Sequence, residues 1–122
     1  MKYLLLMHNN PAFISSLSPE QMAFIGEGHE AFMKTVKESG ELIVTQALAD
    51  PSTSVVVRVR EGERVVTDGP YLEAKEYLGG YYLVDVENAE RAYELAAMIP
   101  DASVDGLAIE VRAVMFSAGL EM

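Results

Sequence analysis

Apolar positions along this chain follow two rhythms, short dense runs and stripes at helical spacing, and the two alternate. "KYLLLMH" at 2–8 is a short apolar run stopped by "NNP", which predicts a strand. Both of its faces are apolar, Tyr3, Leu5 and Met7 against Leu4 and Leu6. "SPEQ" at 18–21 predicts a helix start, with Ser18 as N-cap, Pro19 in the first turn and Gln21 placed for a capping box. Gly40 is the natural stop of that helix. At 100° per residue, Met22, Ile25, His29, Phe32, Met33 and Val36 form one stripe, while Glu27, Glu30, Lys34 and Glu38 lie away from it. Phe24 points off the stripe. Gly26 and Gly28 each cost about 1 kcal/mol relative to Ala inside a helix, which suggests close packing or local looseness near His29.

"LIVTQAL" at 42–48 predicts a second strand ended by "ADPS". "SVVVRVR" and "ERVVT" flank Glu61 and Gly62, as in a hairpin. "YYLVDV" at 81–86 is a strand apolar on both faces. Asn88 then caps a helix, "AERAYELAAMI", with Ala92, Leu95, Ala96 and Ile99 inward and Pro100 closing it. "AIEVRAV" at 108–114 alternates as a last strand. This order predicts an α+β fold, a ferredoxin-like antiparallel sheet with two helices on one face. Two helices cover only one face of a sheet whose strands are apolar on both. A homodimer with two sheets packed face to face resolves this, with Phe24 or the C-terminal "VMFSAGLEM" as further contact.

Composition narrows the classes. The 122 residues suit one domain, 1–122, and half of them are hydrophobic. Nine Lys and Arg against 19 Asp and Glu leave a formal charge of -10, which opposes nucleic acid and anionic membranes as partners. With no cysteine, disulfides and thiolate chemistry are excluded. "YLLLM" is too short to span a bilayer and too short for a signal peptide, so a cytoplasmic protein is expected.

Candidate chemistry rests on few residues. His29 is the polar residue in the first helix stripe, and reads either as a core histidine satisfied by one hydrogen bond or, beside a carboxylate, as a general base. Asp68 in "TDGP" is good turn chemistry, since its side chain can bond the backbone beyond it, and is equally an acid held rigidly at a strand end. His8 ends the first strand, where ligand sites often gather, or is simply exposed. Lys75 reads as an anchor for an anionic substrate or as part of a solvated loop. Gly79 and Gly80 allow close backbone approach to a ligand, or start a twisted strand. Two histidines 21 positions apart, without "HExxH", argue against a metal site, and "GxSxG", "GxxxxGK[ST]" and "GxGxxG" are all lacking. No cofactor is expected.

The run "VTDGPYLEAKEYLGGYYLVD", with "MKYLLLM", "STSVVVRVREGE", the "IP" at 99–100 and "IEVRAV", resembles the YCII-related, or DGPF-domain, family over nearly the whole chain. The resemblance implies a dimeric α+β barrel, similar in fold to muconolactone isomerases and chloromuconolactone dehalogenases. It also implies a histidine and aspartate active site, carried over to His29, eleven residues before Gly40, and to Asp68 of the name motif. Tyr71 departs from the family's usual phenylalanine, and its hydroxyl either bonds a substrate oxygen or reaches solvent. Two functions follow from the resemblance. One is a cofactor-independent lyase or isomerase acting on a cyclic or carbonyl small molecule, with His29 and Asp68 catalytic and His8, Tyr71 and Lys75 binding substrate. The other is a non-catalytic metabolite-binding or regulatory module associated with extracytoplasmic-function sigma factors.

Overall fold

A computed structural model describes residues 1–71 and 76–119. The elements in chain order are β1 (Lys2–Asn9), α1 (Pro11–Ser15), α2 (Pro19–Glu38), β2 (Leu42–Ala47), β3 (Val55–Arg60), β4 (Glu63–Asp68), β5 (Tyr77–Asp85), α3 (Ala89–Met98) and β6 (Ala108–Ala113). One-turn 3-10 segments occur at Pro51–Thr53 and Pro100–Ser103. Four strands form an antiparallel sheet in the order β2-β5-β1-β6, and β3 pairs with β4 in a separate hairpin. This is the ferredoxin-like α+β arrangement, with the hairpin inserted between β2 and β5.

The local signals that start and stop the helices act as their chemistry dictates. Ser18 and Gln21 form the reciprocal capping box of α2, and Gly40 follows its end at φ 78°, a conformation that glycine adopts without a Cβ penalty. Asn88 caps α3 by accepting from the Arg91 backbone N–H at 2.9 Å. Two expectations need correction. "NNP" is a helix start as well as a strand stop: the Asn10 side chain accepts from the backbone of Ala12 and Phe13, and Pro11 takes the first turn of α1, a third α-helix among the described residues. The fifth strand begins at Tyr77 and runs through Gly79 and Gly80: Gly80 pairs with Met7 of β1 and Ala47 of β2, and Gly79 sits where the register with β1 shifts.

The core lies between the sheet and α2 and α3. Leu5, Val36, Val84, Leu95 and Ile99 are fully buried there, joined by Tyr3, Phe32, Tyr82, Ala92 and Ala96. Because side chains alternate along a strand, Leu4, Leu6, Tyr81 and Leu83 point to the opposite face, away from the cluster that α2 and α3 close, with Leu6 buried and the others half-buried. At one edge of the helix layer Arg91 of α3 grips Glu41 through two bonds of 2.9 Å, and this contact, with Ser39 adding to it, holds the Glu41 carboxyl below its ordinary range.

The two interior glycines of α2 have different causes. A Cβ on Gly28 would meet Pro100 Cβ at 2.6 Å, so α2 and the Pro100 segment approach through this position. A Cβ on Gly26 meets nothing within 4 Å. Gly26→Ala is therefore expected to stabilise the protein by about 1 kcal/mol, as helix propensity alone dictates. Gly28→Ala is expected to destabilise it by about 1–3 kcal/mol through overpacking. Urea unfolding of the two variants beside the parent measures both signs.

Candidate active site

The stripe on α2 changes duty along its length. Its C-terminal part, Phe32 and Val36, is buried in the core, whereas Met22, Ile25, His29 and Met33 line a cavity of about 410 Å³. The wall opposite comes from β1, β2 and β5 through Met7, Asn9, Thr45, Gln46, Gly79 and Tyr82. Ile14 of α1, Leu17 just beyond it, Asp101 and Leu107 complete the lining. The volume falls within the roughly 300–1,000 Å³ usual for small-molecule sites.

At the base of this cavity His29 bonds at both ring nitrogens. Nε2 lies 2.8 Å from Asp101 Oδ1 and Nδ1 lies 2.6 Å from the Tyr82 hydroxyl. A carboxylate only accepts, so Nε2 carries the proton and donates to Asp101. Nδ1 of the neutral ring is then an acceptor, and the Tyr82 O–H donates to it. Asp101 is 5% exposed and Tyr82 2%, while the His29 side chain keeps 21% of its surface. Phe32 packs edge-on against the Tyr82 ring, with centroids 4.8 Å apart, and fixes its plane.

Each member of the trio is set by a different element. Asp101 stands on the one-turn segment after Pro100, which approaches α2 through the bare Gly28 one residue before His29. Tyr82 and Tyr81 are neighbours on β5 and so face opposite ways; Tyr82 reaches His29 from the helix face, while Tyr81 bonds Gln46 on the other face.

The residues expected to act at the site fall into three places. His29 is in the cavity. The strand alternation that turns Met7 and Asn9 into the cavity turns His8 away, and His8 bonds Glu110 at 2.7 Å on the uncovered face of the sheet, where Arg112 also holds Glu110. Arg112 first, and then His8, keep the Glu110 carboxyl below its ordinary range. Asp68 pairs with Val55 at the end of the β3–β4 hairpin, exposed, and its Gly69 donates a backbone bond to Ser54 at 2.8 Å. The expected pairing of His29 with Asp68 is thus replaced within the chain by His29 with Asp101, because the hairpin lies outside the sheet that carries the cavity. Tyr71 is exposed with the Arg58 guanidinium 5.4 Å over its ring, a cation–π contact outside the cavity lining. Lys75 lies outside the described residues.

Asp101, Tyr82 and the apolar walls were missed by sequence reasoning. Pro100 reads as a helix stop, and nothing local marks the acid after it as buried. A sequence signal for α1 did exist, in the Asn-Pro start. Among the described residues no three His, Cys, Asp or Glu side chains gather as a metal site requires, and none of the helices is long and apolar enough to cross a membrane.

The fold and cavity define a ferredoxin-like α+β protein with a histidine held between an acid and a phenol. The chain belongs to the YCII-related domain family, whose model matches residues 1–117. It is also 30% identical over 112 residues to an uncharacterized protein of Rhizobium meliloti (strain 1021), covering 92% of this chain and 90% of that protein.

Burial, and secondly the charge of Asp101, push the Tyr82 phenol up from 10 to about 12. The folded protein keeps this proton where the unfolded chain has lost it, so the contribution is complete below about pH 10 and is lost as pH rises through about 12. Asp101→Asn removes the smaller cause and is expected to lower the Tyr82 pKa while leaving it above 10. Alkaline titration of the carbon-13 labelled tyrosine ring by NMR measures the difference.

Proposed function

We propose that the protein is a cofactor-independent acid–base enzyme, an isomerase or lyase that moves a proton on a cyclic or carbonyl compound bound in the cavity. The observation that carries this reading is the bonding of both His29 nitrogens, to Asp101 and to Tyr82, at the base of an apolar cavity. In this reading the acid partner of His29 is Asp101 rather than Asp68. A proton leaving the substrate goes to the Tyr82 oxygen as the Tyr82 proton passes to His29 Nδ1. The resulting imidazolium donates to Asp101 through Nε2–H, so its charge is balanced in the buried pair, and reversal returns the proton to a different substrate atom. A histidine merely satisfied in the core needs neither a second partner nor a cavity beside it, which is why the catalytic reading is preferred to that one.

Incubation with a panel of cyclic ketones and lactones in deuterium oxide tests the chemistry, with loss of the proton signal next to the carbonyl followed by NMR. The wild type is expected to accelerate exchange on at least one compound. His29→Ala and Tyr82→Phe are each expected to lower that rate by about 10² to 10⁴. Full activity in His29→Ala rules out the assignment, and full activity in Tyr82→Phe alone means that His29 acts directly.

The reading includes a homodimer of the dimeric α+β barrel type, formed through the uncovered sheet face. Two observations support it. Leu4, Leu6 and Leu83 share that face outside the helix-covered core, Leu6 buried and the other two half-buried, and the hairpin leaves Val55, Val57, Val59 and Val66 exposed together on one of its own faces. A two-stranded hairpin alone is marginally stable in water, so its apolar face calls for a partner surface. Asp68 and Tyr71 then belong to the assembly rather than to the acid–base trio. Sedimentation at micromolar concentration is expected to give a dimer, and Leu83→Arg to shift it to monomer; a wild-type monomer overturns this part.

A further inference from the structure

The cavity has a chemical polarity that the acid–base proposal does not use. Three of its wall residues are methionines, Met7, Met22 and Met33, and Ile14, Leu17 and Ile25 extend the apolar surface. Unbranched thioether chains yield to the shape of a ligand and make favourable contacts with ring edges. The ionisable groups on the described wall are His29, Tyr82 and Asp101, and the Asp101 carboxylate is already matched to His29. Protonation of His29 makes that pair neutral rather than positive. Among the described residues of the wall there is no Lys or Arg, and the whole chain carries a formal charge of -10. An anionic group at the cavity base would therefore lose its water and meet a buried carboxylate, an arrangement that costs several times what one hydrogen bond returns.

The polar groups also dictate what they can bond. Thr45 Oγ1 is committed to the Tyr81 carbonyl at 2.9 Å, and Gln46 Oε1 accepts from the Tyr81 hydroxyl. At the base, the Tyr82 oxygen keeps its lone pairs while its proton is given to Nδ1 of neutral His29, so it accepts from a ligand O–H. When His29 is protonated, Nδ1–H donates to Tyr82 and frees the phenol to donate to a ligand carbonyl. The same oxygen thus suits a hydroxyl in one state and a carbonyl in the other.

From these two features we infer that the cavity takes an uncharged ligand, a one- or two-ring apolar body carrying a single hydroxyl or carbonyl oxygen that bonds Tyr82, and discriminates against carboxylates. The ring body lies against the methionines and the oxygen points to the base. Only the part played by Tyr82 in proton movement rests on the acid–base reading; the preference for an uncharged ligand does not.

Matched probes test this with the whole chain at neutral pH. 2-Naphthol and 2-tetralone supply the hydroxyl and the carbonyl, and 2-naphthoate supplies the same ring body with a carboxylate. Calorimetric titration is expected to show 2-naphthoate binding at least about tenfold more weakly than either uncharged probe. Carbon-13 labelled methionine methyl groups report the location, and signals of Met7 and Met33 are expected to move with the uncharged probes. Met22 is half exposed at the rim, so Met22→Lys is expected to keep the fold and narrow or reverse the preference. Equal or tighter binding of 2-naphthoate by the wild type overturns the inference, as does binding of the uncharged probes with the methionine signals unmoved. Proton exchange beside the carbonyl of 2-tetralone and of the ketone and lactone panel reads the catalysis separately: retained binding preference without exchange on any of them removes the acid–base reading and leaves the ligand class standing, whereas exchange without the preference does the reverse.

Discussion

A carboxylate almost without water, Asp101, is held by one imidazole, and the placement of three elements depends on that bond. A hydrogen bond to a charged group contributes about 1.5–3 kcal/mol, but stripping the partner from a buried carboxylate costs more than the bond returns, since the charge stays out of water. The tether therefore constrains the segment after Pro100, the middle of α2 and, through Nδ1, the helix face of β5. Close approach at Gly28 is the steric counterpart of this contact, because a side chain there would hold Pro100 and Asp101 away from His29.

That constraint also separates packing from chemistry along a single helix. Met22, Ile25, His29 and Met33 of α2 face a cavity, while its Phe32 and Val36 are buried in the core. The change comes from the short α1 and Leu17 beyond it, which form a side wall, and from β5, whose bare Gly79 admits the Asn9 side chain beside it. The result is a polar trio under apolar walls. Fixed dipoles in such a site act on a bound molecule with little competition from solvent.

On the other side of the sheet the same strands face a different problem. Leu4, Leu6 and Leu83 lie beside Tyr81 bonded to Gln46 and Glu110 bonded to His8 and Arg112. Alternation along β1 assigns its residues to the two faces, so one strand contributes Met7 to the cavity and His8 to this second surface. A histidine's position at a strand end says little about its chemistry until the facing is known.

The chain's own pattern determined most of the architecture. Period-2 runs, the Ser18 capping box, the Glu61–Gly62 turn and the inward set Ala92, Leu95, Ala96 and Ile99 are local properties, and local sterics and hydrogen bonding are enough to read them. His29 was legible in the same way as the polar member of its stripe, and the family through the resemblance of its motif runs to the YCII-related domain. The partner of His29 was not. Asp68 and Asp101 are both acids within two residues of a proline, one before "GP" and one after "IP", and residues near each in sequence do not distinguish them. Only the tertiary structure decides, because burial and reach are set by which segments pack together: Asp101 follows the helix end that meets α2, and Asp68 ends a hairpin outside the main sheet.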